Sequence, residues 1–592
     1  MEDSNRSSNL SIHDVSDPAR RQVLRGGLGA LASSFLAPLS AIGGAAALTG
    51  CASLGMGSAA KIGFKSVAIS TADAISVPEG YVAHVIAPWG DPVGIAGQNY
   101  AFKDDASNTA AEQEAQIGMH HDGIHYYALE GSKRGLLAMN HEYVDHGLLF
   151  KDGMANWSAE KVRKSQAAHG VAIVEVQDKG GKWEVVNPSK YARRITATTR
   201  TELSGPAAGH ALLKTAADTA GRVVLGTLNN CASGITPWGT YLTSEENFIN
   251  YFNGGDKLSD HEKRWGLKKG GGGYRWHEHD ARFDATQNPN EPNRFGWIVE
   301  IDPNNPNATP MKRTAMGRAA HEGATVAVTK DNRAVVYMGE DARFEYIYKF
   351  VSRDAIKSGG AAANATLLDH GTLYVAKFNA DGKGQWLALT HGQGPLTSAN
   401  GFADQAEVLI KSRQASDILG ATKMDRPEWI DVDKQGWVYA TLTNNSNRGG
   451  DKQPAVDAAN PRANNTQGNI IRWKEDVDFH ATTFAWNHFI LAGDASLARA
   501  EAKGNIKGDM FSCPDGLWVD GRGLMWIQTD MSTSNMGKGD LQNFGNNMML
   551  AADVQTGEVR RFLVGPAGCE ITGVTETPDG RTMFLNVQHP GE

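Results

Sequence analysis

What the chain has little of narrows it first. It carries 4 Cys in 592 residues, too few for a disulfide scaffold, so each cysteine needs its own reason. A net charge of -8 at pH 7 leaves no broad basic surface and argues against a nucleic-acid partner held through phosphate contacts. The longest apolar stretch, Gly26 to Leu48, is interrupted by Gly, Ser and Pro38, which weakens a transmembrane reading. The run Lys269 to Gly273 lacks the Lys-Ser/Thr of a phosphate-binding loop. Trp276-His277-Glu278-His279-Asp280 lacks the spacing of a zinc-binding helix and reads as rim structure.

With 41% hydrophobic and 21% charged residues, the chain suits a large globular protein with a substantial core. Adjacent Arg20 and Arg21 ahead of a Gly/Ala-rich apolar segment resemble a Tat signal, an address read by the Tat translocase rather than part of the fold. Leu48-Thr49-Gly50-Cys51 looks like a lipoprotein processing box, with Cys51 as the acylated residue; cleavage near Ala45 to Ala47 is the soluble alternative. The expected organisation is a signal over 1–50, a linker over 51–78 and a single domain over 79–592. The protein is then periplasmic, secreted or lipid-anchored through Cys51, and a monomer is expected.

Six units repeat one design, in which a Gly/Asp/Asn turn opens a short apolar strand that ends in a polar cluster. They span Gly131 to Glu142, Gly221 to Asn230, Asp331 to Asp341, Asp433 to Asn445, Gly521 to Asp530 and Asp579 to Gln588. Short strands recurring without long amphipathic helices predict an all-β fold: a six-bladed β-propeller with insertions near 250–284 and 451–467, or a β-sandwich. In a propeller the polar strand ends converge on one face.

The stretch Asn229 to Phe248, NNCASGITPWGTYLTSEENF, follows the strand-like run Val223 to Leu228 and combines Cys231 with Glu245 and Glu246. A thiolate and carboxylates that close can share a metal; a small buried hydrophobe beside a helix start is the bland alternative. Single glutamates elsewhere are ordinarily solvated, yet several converging carboxylates must take up protons or cations. The residues alone do not choose the metal.

This stretch closely resembles the signature of the PhoX-type alkaline phosphatases, and matching runs extend from about Gln116 to the C-terminus. The resemblance implies a six-bladed propeller that hydrolyses phosphate monoesters at a cluster of two Fe3+ and several Ca2+ ions. Carried onto matching motifs, it assigns Cys231, Glu246 and Glu322 to iron and Glu428, Glu570 and Asp530 to calcium. Arg426 would clamp phosphate oxygens, with Asn230 and Asn445 as further donors. Ser244 stands where many relatives carry Cys, and the chain stops at Glu592 inside a family motif, so the last blade is expected to be incomplete. A calcium-dependent hydrolase of lactonase or phosphotriesterase type and a non-catalytic calcium-binding propeller are the competing functions. Neither requires the set Cys231, Glu246, Glu322 and Arg426. Cys513 and Cys569 are either buried thiols or a disulfide.

Overall fold

A computed structural model describes residues 62–590; the Tat-like segment, Cys51 and Glu592 lie outside the described residues. Among the described residues the chain is mostly β, in sheets of five, six, nine, five and two strands. The nine-stranded sheet is two antiparallel arrays joined where Lys383–Gln385 pairs with Thr483–Ala485.

Six strands lead the arrays: β1 (His121–Ala128), β2 (Asn230–Ile235), β3 (Thr325–Val328), β4 (Pro427–Val432), β5 (Pro514–Val519) and β6 (Glu570–Glu576). Each pairs antiparallel with a second strand. Five of the six expected turn-strand units are these second strands, for instance Arg333–Gly339. Its turn is closed by Asn332 at φ 65, a conformation Asn tolerates, and its β-branched and aromatic residues are buried on both faces. The sixth unit, Gly221 to Asn230, differs: it holds the short edge strand Val223–Leu225 and then enters β2.

The leading strands touch in sequence, β1 to β2 and onward to β6, and β6 packs back on β1, so the set closes into a ring. Backbones meet at glycine. A Cβ on Gly234 would sit 1.8 Å from the Ala324 carbonyl oxygen, and one on Gly573 2.3 Å from that of Asp122. Second-strand side chains tie four of the six neighbouring pairs of leading strands. Thr441 donates to the Asp515 carbonyl at 2.6 Å and Gln528 to that of Gly573 at 3.2 Å, while Asn140 and Asn586 donate to the carbonyls of Cys231 and Asp122. Such bonds contribute about 0.5–1.5 kcal/mol each, and they fix where the first residues of those strands lie.

Two expectations need correction. Residues 62–78 are not a free linker: Ile62 and Phe64 are buried against Trp526 and Phe562, and Ser76 bridges Val564. Their apolar side chains cover a sheet face that would otherwise meet water. Cys513 and Cys569 are free buried thiols, so the disulfide alternative fails. The 250–284 insertion joins the core through Tyr274, Trp276 and Phe283, while Glu278 pairs with Arg275 at 2.7 Å, in keeping with rim structure. Among the described residues no helix is long and apolar enough to cross a membrane.

Candidate functional site

The leading strands begin alike. In β1, β2, β4 and β5 the pairing register slips after the first pair, a bulge that re-aims the next side chain. That residue is Asp122, Cys231, Glu428 or Asp515. Glu322 precedes β3 behind the bridge of His321 with Glu340, and Glu570 opens β6. Two positions earlier the backbone is left-handed in five of the six: His120 at φ 47, Asn229 at 49, Arg426 at 58, Cys513 at 49 and Gly568 at 69. Four of these are not glycine, and each costs on the order of 1–3 kcal/mol, a strain that persists only where surrounding contacts impose it.

The ends of the second strands complete the site. Potential ligand atoms of Asp122, Glu142 and Cys231 lie within 4.8 Å of one another, as do those of Cys231, Glu246 and Glu322, and those of Glu322, Asp341 and Glu428. Shared members join the three groups into one cluster. Asp530, Glu570 and His589 form another group of the same kind. The Cys231 thiol donates to Glu322 Oε1 at 2.9 Å. Gln588 Nε2 donates to Asp122 at 3.0 Å and Glu142 at 2.9 Å. Arg426 forks onto both Asp341 oxygens at 2.8 and 2.7 Å and lies 3.2 Å from Glu428.

Burial raises Asp122 from 3.8 to about 7, and burial together with the Asp122 charge raises Glu142 from 4.5 to about 8. Glu246, Glu322, Glu428, Asp515 and Glu570 are pushed well above the carboxylate range, by burial first and then by a neighbouring carboxylate: Glu142 for Glu246, Glu428 for Glu322, Asp341 for Glu428, and Asp530 for Asp515 and Glu570. The Cys231 thiol moves up for the same two reasons. Burial opposes the Arg426 charge, but Asp341 and Glu428 keep the guanidinium protonated. Oδ1 of Asp122, Oε2 of Glu322 and Oδ1 of Asp515 are buried without a hydrogen-bond partner. Acids held so closely keep protons or bind cations, and orphaned oxygens around a sulfur fit cations. The oxygen-rich donor set suits hard ions, and the thiolate suits a transition metal.

Of the residues expected from sequence, Cys231, Glu246, Glu322, Glu428 and Arg426 meet in the cluster, and Asp530 and Glu570 share the other group. Cys231 lies within β2, not on a loop. Asn230 needs correction as a phosphate donor. Asn230 spends both amide hydrogens on Thr227 and Thr243, at 2.7 and 3.0 Å, and Asn445 donates to Asp425 at 2.9 Å. Glu142 and Asp341 stand at polar strand ends expected to converge on a cation site, whereas Asp122 and Asp515 were not foreseen as part of it. Six aligned runs, HDGIHY, NCASGI, HEGATV, PEWIDV, PDGLWV and CEITGV, carry the signal that finds those two: an acid or Cys always stands second.

A family model for alkaline phosphatase PhoX matches residues 62–591. The chain belongs to the PhoX alkaline phosphatase family. This PhoX family member is similar to Pseudomonas fluorescens PhoX solved in complex with vanadate, a transition state analogue. Identity is 50%, the TM-score is 0.86, and the match covers 89% of this chain and 93% of that one. A gluconolactonase, XC5397 from Xanthomonas campestris, matches at 12% identity over 67% of this chain and 84% of its own, with a TM-score of 0.23, too low to carry an argument. No match was found among curated proteins. As a PhoX phosphatase the protein is a metal-dependent hydrolase of phosphate esters, which sets aside the lactonase-type and non-catalytic readings.

Proposed function

We propose that this phosphatase hydrolyses phosphate monoesters at two ferric ions and several calcium ions held on the axis of a six-bladed β-propeller, whose sixth blade is represented by two strands. The closed ring of leading strands supports the propeller. Cys231, Glu246 and Glu322 would hold iron; Glu428, Glu570 and Asp530, joined by Asp122 and Asp515, would hold calcium. When bound, such cations neutralise phosphoryl charge and acidify the attacking water.

The chain's own residues do the rest. Cys231 and the raised carboxyls give up protons as cations arrive, so loading is favoured at alkaline pH. Arg426 keeps Nε and Nη2 on Asp341, which holds the guanidinium plane and leaves the two Nη1 hydrogens to donate to phosphoryl oxygens. Arg20-Arg21 and Cys51 support Tat export to the periplasm with lipid anchoring.

One observation carries this reading: a thiol and buried acids that outnumber the one guanidinium among them, Arg426, meet where six strands begin. The test is p-nitrophenyl phosphate hydrolysis at alkaline pH with and without a chelator, alongside metal analysis of wild type and Cys231→Ala. Chelation is expected to abolish activity and Cys231→Ala to deplete iron. Activity indifferent to both would reject the metal site.

A further inference from the structure

We propose that Asp425 is a positioning residue that sets Arg426 for phosphate, and that the loop from Asn445 to Asn465 exists to hold it. The proposal rests on the reading of Arg426 as the phosphate clamp.

Arg426 is in a conformation its sequence disfavours. Its φ is 58, a value uncommon outside glycine, and it precedes Pro427, whose ring favours extended backbone in the residue before it. Something outside the dipeptide must impose the pose. Asp425, fully buried, accepts three hydrogen bonds: from Asn445 Nδ2 at 2.9 Å, Arg448 Nε at 2.8 Å and Asn465 Nδ2 at 3.1 Å. All three donors belong to the polar insertion after the strand Trp437–Leu442. The donors are fixed in turn. Asn445 and Asn465 exchange backbone bonds at 2.7 and 3.1 Å, and Arg448 reaches the Lys423 carbonyl at 2.6 Å.

On its other side this segment is tied to the strip that follows Asp341. Asp425 bridges Arg343, and Met424 bonds to Glu345 and Phe344 at 2.8 Å each. Arg426 itself takes a bond from the Thr443 amide at 3.2 Å while its fork rests on Asp341. The carboxylate thus anchors the backbone one residue ahead of the guanidinium, and insertion and Asp341 strip grip it from opposite sides. A buried Asp425–Arg448 pair serving packing alone would affect folding without any coupling to phosphate.

The test is a double-mutant cycle on the full-length, metal-loaded enzyme, with inorganic phosphate as competitive inhibitor of p-nitrophenyl phosphate hydrolysis and with metal content and melting recorded for each variant. Arg426→Ala is expected to raise the phosphate Ki about tenfold or more, as loss of a charge-assisted fork does. Asp425→Asn and Asn445→Ala are expected to raise it about threefold or more at unchanged metal content, and to add nothing once Arg426 is removed, because they act through it. If Asp425→Asn and Asn445→Ala shift only melting, or keep their full effect on Ki without Arg426, the positioning role is overturned while the clamp stands. If Arg426→Ala leaves Ki unchanged, the clamp reading falls and this proposal with it. Should Asp425→Asn not fold, Asn445→Ala, which removes one donor of three, decides the matter by the same criteria.

Discussion

Glu245 and Glu246 are adjacent in sequence and both buried, yet their surroundings are opposite. Glu245 accepts from Lys312 Nζ at 2.7 Å and from the amides of Gly296 and Trp297 at 3.0 and 3.1 Å. Glu246 faces Cys231 and Glu322. A related contrast holds at Glu340 and Asp341: Glu340 holds Arg413 at 2.6 Å and the Tyr348 hydroxyl at 3.1 Å, whereas Asp341 shares its one cation, Arg426, with Glu428 and lies in the cluster with Glu322. Burying a charge costs heavily unless it is paired. A chain that gives Glu245 and Glu340 a cation each, but leaves the crowded inner acids to share the single guanidinium of Arg426, has built the outer set as scaffold and the inner set for ions from solution.

That contrast can be broken from either side. The largest effect is expected at Glu322, shared by two of the ligand groups: Glu322→Gln should lower kcat by about 10²–10³ or more, with metal stoichiometry falling in parallel. Unchanged kcat would put Glu322 outside the site. Next, Lys312→Met leaves Glu245 buried without its partner and should cost about 3–5 kcal/mol of stability by denaturant titration, with turnover per folded molecule retained. Loss of turnover without loss of stability would erase the distinction between scaffold and site.

A smaller effect concerns pH. The folded chain favours the protonated forms of Asp122, raised from 3.8 to about 7, and Glu142, raised from 4.5 to about 8. Their contribution is fully present below about pH 4 and is lost as pH rises toward 8. Chelated protein should therefore melt lower at pH 8.5 than at pH 5, and loaded protein should reverse the order, since cations replace the protons. A chelated form with a flat melting profile would contradict the raised values. Least affected should be Cys513→Ala. Its thiol is buried but its contacts are long, at 3.5 Å to Ser512, 3.6 Å to Thr466 and 3.7 Å to Asn444, so a change of about 1 kcal/mol or less and near-normal activity are expected.

Strand identity was largely legible because the turn chemistry and apolar runs are local: Asp331-Asn332 opens Arg333–Gly339 as the residues suggest. Cys231, Glu246, Glu322 and Arg426 were legible through a family motif. Asp122 and Asp515 were not, because attention to strand ends overlooks strand beginnings, where a bulge turns the second residue inward. Asn230 misled for a related reason: an amide beside a polar strand end looks free in sequence, and only the fold brings Thr243 to it. Ile62 and Phe64 were read as linker since nothing local marks a strap whose partners, Trp526 and Phe562, lie more than four hundred residues away.

The contact of β6 with β1 gives the site a temporal order. Asp122, near the start of the folded body, takes Thr572 Oγ1 at 3.0 Å, Gln588 at 3.0 Å and the Asn586 amide, all from the array synthesised last. A chain still missing its last array therefore lacks Glu570 and leaves Asp122 without these partners, so the part of the site around Asp122 takes shape only when the circle closes.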